Sequence, residues 1–137
     1  MSRVKELIRT ESDGALSFGD YELSAKKKIE DYENNGNLYK VKTFNELTKL
    51  ERDGLFVYES EPGTSVIGFK ASKEGVEFSV SGNEDSQITL GLMEDTEYEI
   101  YVGDRQAVKM KTNLGGKLSF SVELAGEGDI PVKVAKI

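Results

Sequence analysis

The sequence predicts an all-β protein, built as an antiparallel sandwich, and three observations predict it. Apolar residues alternate with polar ones over short runs, as in Leu118, Phe120 and Val122 against Ser119 and Ser121. That period of two marks strands with one dry and one wet face. Turn residues separate such runs at intervals of roughly ten residues, the spacing of sheet proteins. The third observation is Asn35-Gly36 between two extended runs, the strongest short hairpin signal a sequence carries.

Taken in order, Leu16 and Phe18, with residues 21–23 beyond Gly19-Asp20, read as a short hairpin or a bulged strand. Residues 28–32 and 38–43 flank Asn35-Gly36 and form the next hairpin. Residues 42–52 are ambiguous. Phe44, Leu47 and Leu50 lie three apart, which suits a short helix ended by Asp53-Gly54. Asp53-Gly54 is equally a turn between strands at 48–51 and 55–59. The hairpin is the better reading, because Phe56, Val57 and Tyr58 favour a strand and a helix so short is marginal. Glu61-Pro62-Gly63-Thr64 then makes a turn and a seam. Residues 1–61 are expected to form a smaller, hairpin-rich β unit packed against a sandwich of residues 62–137.

Beyond the seam, Val76, Phe78 and Val80 alternate with Glu77, Ser79 and Ser81, and Ile88, Leu90 and Leu92 repeat the pattern after Gly82-Asn83-Glu84-Asp85. Tyr98, Ile100 and Val102 run to a tight turn at Gly103-Asp104, from which the chain returns through Val108 and Met110. Leu118 to Leu124 is the longest clean strand, and Ile130, Val132 and Val134 close the chain. The pattern Leu92-x-x-x-Thr96-x-Tyr98-x-Ile100 resembles the strand entry of immunoglobulin-like and fibronectin type III sandwiches. The resemblance implies that residues 62–137 are Ig-like and that the Tyr98 hydroxyl ties its strand to the preceding loop. It carries no functional residue across.

Composition excludes much chemistry. The 137 residues include no cysteine and no histidine, which removes thiolates, disulfides, the commonest general base and the commonest metal ligand. A formal net charge of −7 and the lack of a clustered basic face speak against nucleic acid. Lys26-Lys27-Lys28 is followed at once by Glu30-Asp31 and reads as solvated charge. No apolar run approaches the ~20 residues of a membrane span, and the N-terminus lacks the apolar segment of a secretory signal. The expectation is a cytoplasmic protein that meets no membrane.

Carboxylates, glycines and aromatics are the residues that remain to carry chemistry. Glu30-Asp31, Glu84-Asp85 and Glu94-Asp95 are carboxylate pairs in polar turns, suited to solubility rather than to acid–base work. Asn83, Glu84, Asp85 and Asp104 lack the alternating spacing of a calcium loop. Gly115-Gly116 and Gly126-x-Gly128 lead into strands, not into a helix that would cradle phosphate. No catalytic residue, metal site or cofactor is expected. Aromatic residues crowd the first half, and Tyr21, Tyr39 and Tyr58 are the candidate contact residues. At the sheet edges, Pro131 and Lys133 are expected to guard the last strand. Residues 4–9 are expected to be free to pair with a neighbouring copy.

Residues 13–21, Tyr39-Lys40-Val41-Lys42-Thr43 and Val57-Tyr58-Glu59-Ser60-x-Pro62-Gly63-Thr64 are similar to short uncharacterised proteins of anaerobic Gram-positive bacteria, some labelled endosialidase. Sialidase chemistry grips its substrate carboxylate with clustered arginines, whereas Arg3, Arg9, Arg52 and Arg105 are scattered here. The resemblance therefore implies at most a non-catalytic accessory role. The expected function is a non-enzymatic binding or assembly module, acting through a β surface or strand edge on a protein partner or on itself. A carbohydrate-recognition module is the alternative, and a small carboxylate hydrolase the third.

Overall fold

A computed structural model describes residues 3–137, which form strands and no helix. With strands numbered in chain order, two antiparallel sheets pack face to face. One has seven strands, in the order β1 (Ile8–Thr10), β2 (Leu16–Phe18), β7 (Ser65–Ser72), β8 (Gly75–Ser81), β13 (Ile130–Lys136), β10 (Glu97–Val102) and β11 (Val108–Lys111). The other has six, in the order β12 (Lys117–Val122), β9 (Ser86–Gly91), β6 (Leu55–Glu61), β5 (Leu47–Arg52), β4 (Asn37–Phe44) and β3 (Lys27–Asn34).

The alternation foreseen in the chain decides which side chains meet between the sheets. Val41, Leu50, Tyr58, Ile88 and Leu90 point inward from one sheet, and Phe18, Val66, Phe78, Val80 and Val134 from the other. At the centre Tyr58 meets Phe18 at 5.3 Å and Phe78 at 5.8 Å between ring centroids, both nearly perpendicular. Edge-to-face contacts of this kind add roughly 0.5–1.5 kcal/mol beyond area burial. Towards one end the interior turns polar. Thr43, Thr48, Ser60 and Thr64 link hydroxyl to hydroxyl and to backbone, and the Tyr58 hydroxyl lies 2.7 Å from the Thr64 hydroxyl. Among the described residues no buried side-chain nitrogen or oxygen lacks a partner, so this network stiffens the core rather than straining it.

Residues 42–52 resolve as the hairpin: β5 and β6 pair across Asp53-Gly54, with Leu50 opposite Tyr58. Asn35 and Gly36 both have positive φ, as a tight turn between β3 and β4 requires. The seam at Glu61-Pro62 is crossed by both sheets, because β6 pairs with β9 and β2 with β7. The described residues on either side of the seam thus share their hydrogen-bond ladders and one core. Residues 21–23 do not form a strand. The Asp20 carboxylate accepts the Glu22 N–H and holds them in a turn.

Two edge expectations need correction. Pro131 and Lys133 guard no edge, since β13 lies between β8 and β10. The missing N–H of Pro131 is tolerated because β10 ends one residue short of it, and the Pro131 carbonyl accepts the Gly103 N–H at the ladder's end. Residues 4–9 are not free. Val4 is fully buried, its N–H donates to the Gly19 carbonyl, and Arg3 grips Asp20 through two hydrogen bonds of 2.9 and 3.0 Å. The three-residue β1 is also clasped to the other sheet, Thr10 bonding to Tyr32 and Asn34. At the far side, β12 is capped at both ends: Asn113 takes the Lys117 N–H and supplies its own N–H to the Lys117 carbonyl, while Arg105 donates to the Ser121 carbonyl. These clasps shorten the edges available at β12 and at β1.

Candidate functional site

The three tyrosines singled out in the sequence do not form a surface. Tyr58 is fully buried and Tyr21 and Tyr39 are buried, Tyr58 and Tyr39 within the common core. Each sits at an inward position of its alternation or against the polar end of the sandwich. Their burial removes them as contact residues.

Exposed chemistry gathers instead on the outer face of the seven-stranded sheet. Inward Val76, Phe78 and Val80 force Glu77 and Ser79 of β8 outward, and inward Val132 and Val134 do the same for Pro131 and Lys133 of β13. Register then builds two rows. Glu77 pairs with Lys70 on one side and Lys133 on the other, and Lys133 pairs with Tyr101 of β10. One residue pair further along, Ile67, Ser79 and Pro131 lie side by side. A bulge in β7 between Ile67 and Lys70 brings Gly68 to this face at φ 69°. With no side chain there, the face stays open, and the two rows floor a groove of about 500 Å³.

Two of its charged groups, Asp13 and Lys70, hold each other. The Asp13 carboxylate meets the Lys70 ammonium at 2.8 Å. That bond holds the Asp13 carboxyl below its ordinary range and the Lys70 ammonium above its own. Tyr101 donates its hydroxyl to Glu99 two residues back, which raises its titration and anchors the ring. Tyr101 is 39% exposed, a flat apolar surface among donors and acceptors. It was missed in the sequence although a signal existed: it is the aromatic in the outward set Glu97, Glu99, Tyr101 of an alternating strand.

Other carboxylates serve the fold. Glu11 is held low by hydrogen bonds from Ser17 and then Arg9, and Glu30 by Lys28. For Asp20 burial pushes upward, but Arg3 and the Glu22 N–H together pull it below its usual value. Asn83 donates to Glu22, and Asp85 accepts the N–H groups of Leu124 and Ala125, so the loop weighed for calcium spends these groups on the chain itself. Among the described residues no group of three or more acidic side chains is placed to hold a metal ion. Compared with known proteins, the chain matches no family model, no curated protein and no solved structure.

Proposed function

We propose that this protein is a non-enzymatic binding module whose contact face is the outer surface of the seven-stranded sheet. The observation that carries the reading is the row Lys70, Glu77, Lys133 and Tyr101, set side by side by register across four strands. A cation, an anion, a second cation and an exposed ring on one rigid face give a ligand both hydrogen bonds and a stacking surface. Strands hold such groups more firmly than loops would.

Proton transfer has less support. A carboxylate hydrolase needs one carboxyl kept protonated near neutral pH, whereas Glu11, Asp13, Asp20 and Glu30 are all displaced downward. A second reading, saccharide recognition, is favoured by the Tyr101 ring lining one groove with Ser79, Glu77 and Lys133.

Chemical-shift mapping with a panel of oligosaccharides and acidic and basic peptides tests both readings. Shifts confined to Ile67, Ser79, Tyr101 and Lys133, and lost in Tyr101→Ala, support the binding face, and the panel member responsible names the ligand class. Turnover of a panel member overturns the non-enzymatic reading. A face that stays silent to the whole panel overturns the choice of surface.

A further inference from the structure

The outer face of the six-stranded sheet carries a pattern of its own. One residue from each strand falls into a single cross-strand row: Ser119 of β12, Thr89 of β9, Glu59 of β6, Lys49 of β5, Lys42 of β4 and Lys28 of β3. The sheet's midline lies between β6 and β5. On one side stand the Glu59 carboxylate and the Thr89 and Ser119 hydroxyls, which bond to each other at 2.7 Å, and on the other stand three ammonium donors. Strands stand about 4.8 Å apart, and like charges directly opposite one another destabilise a sheet. Lys28 finds Glu30 at 3.2 Å. Among the described residues Lys42 and Lys49 belong to no ion pair, although Lys49 lies 6.0 Å from the centre of the Phe56 ring. Beside the row, Glu59, Glu61, Gln87 and Thr89 line a hollow of about 300 Å³. In a chain of net charge −7, Lys42, flanked in the row by Lys49 and Lys28, calls for an acidic partner.

From this row we infer that the face is self-complementary and pairs two copies of this chain. The two-fold axis runs along the strands between β5 and β6. Rotation about it lays each half of the row on the opposite half of the second copy. Lys49 then meets Glu59, Lys42 meets Thr89 beside the acidic hollow, and Lys28 meets Ser119, each contact made twice. An axis across the strands would instead stack lysine on lysine. Because packed sheets cross at about 30°, the pair next to the axis, Lys49 and Glu59, lies closest and carries most of the attraction. Six strands and about six residues per strand give a face of roughly 24 by 20 Å. That is at the small end of specific interfaces, so the dimer is concentration-dependent and weakens with salt. This surface is separate from the Tyr101 face, and either can fail without the other.

Two charge-reversed chains test it. One carries Lys42→Glu with Lys49→Glu, the other Glu59→Lys with Glu61→Lys. Sedimentation velocity of the whole protein at low salt is expected to show wild type moving towards twice its 15.2 kDa mass as concentration rises. Each variant alone is expected to weaken dimerisation about tenfold or more. Their equimolar mixture is expected to dimerise at least as well as wild type, because the carboxylates at positions 49 and 59 of one chain then face the ammoniums at positions 59 and 49 of the other; this also shows that both variants fold. A wild type monomeric at every concentration overturns the inference. So do variants that dimerise alone as well as wild type does, or a mixture that stays monomeric while wild type pairs.

Discussion

The backbone N–H of Met93 donates to the hydroxyl of Tyr98 at 3.2 Å, while the Tyr98 ring is buried against the core. The bond straps the loop before β10 to the strand that follows it. Thr112 reinforces it by accepting the Thr96 N–H and donating to the Met93 carbonyl. Tyr98→Phe keeps the ring and removes the strap. It is expected to cost about 1 kcal/mol in urea unfolding and to speed hydrogen exchange at the Met93 amide. Tyr101→Phe, on the surface, is expected to stay within about 0.5 kcal/mol of wild type.

Tyr58 separates packing from hydrogen bonding. Tyr58→Phe leaves Thr64 its bond to Ser60 and is expected to cost about 0.5–1.5 kcal/mol. Tyr58→Ala empties the space between Phe18, Phe69 and Phe78 and is expected to cost about 3–5 kcal/mol. Burial also pushes the Tyr58 hydroxyl's titration well upward. The folded state therefore keeps a proton that the unfolded chain gives up near pH ~10. Stability is expected to fall as pH rises beyond that point, and Tyr58→Phe is expected to flatten this alkaline decline in melts taken across the range.

At low pH Arg3 and Asp20 form one of the pairs that titrate. The folded Asp20 carboxyl titrates below its ordinary value, so its contribution is present above pH ~4 and is lost as pH falls through the folded value. Asp20→Asn is expected to lower stability at neutral pH and to shallow the acid decline. Melting temperatures from pH 7 downward read both effects. An unchanged acid limb would assign the decline to other carboxylates.

Gly63 faces a backbone wall. A side chain there would begin 2.0 Å from the Phe44 carbonyl oxygen, and its N–H is already bonded to the Asn45 carbonyl. Gly63→Ala must push apart two hydrogen-bonded segments and is expected to cost about 1–3 kcal/mol or more. Gly128 lies in open space, and Gly128→Ala is expected to be neutral or to stabilise by up to about 1 kcal/mol through the unfolded chain. Thermal melts of the two variants make the comparison.

Much of the fold was legible. Alternation at 76–80, 88–92, 98–102 and 118–122 located strands, Asn35-Gly36 and Asp53-Gly54 located hairpins, and Tyr98 announced its own hydrogen bond. β7 was not legible, because the bulge between Ile67 and Lys70 shifts the phase of its apolar residues in mid-strand. Tyr21, Tyr39 and Tyr58 were misplaced because an amphipathic ring fits a wet platform or a buried slot equally well in one dimension. Tyr101, by contrast, was legible from its outward place in the alternation of β10.

Strand positions, turns and the all-β class follow from local chemistry, since the backbone's period of two and the positive-φ turns act over a few residues. Pairing order is another matter. The same alternation satisfies either sheet and any neighbour, so nothing near Ile130 reveals that β13 inserts between β8 and β10. The groove beside Tyr101 and the lysine row of β3, β4 and β5 arise from cross-strand register between distant segments. Only the packed sandwich brings those segments together, because burying both apolar faces at once is a property of the whole chain.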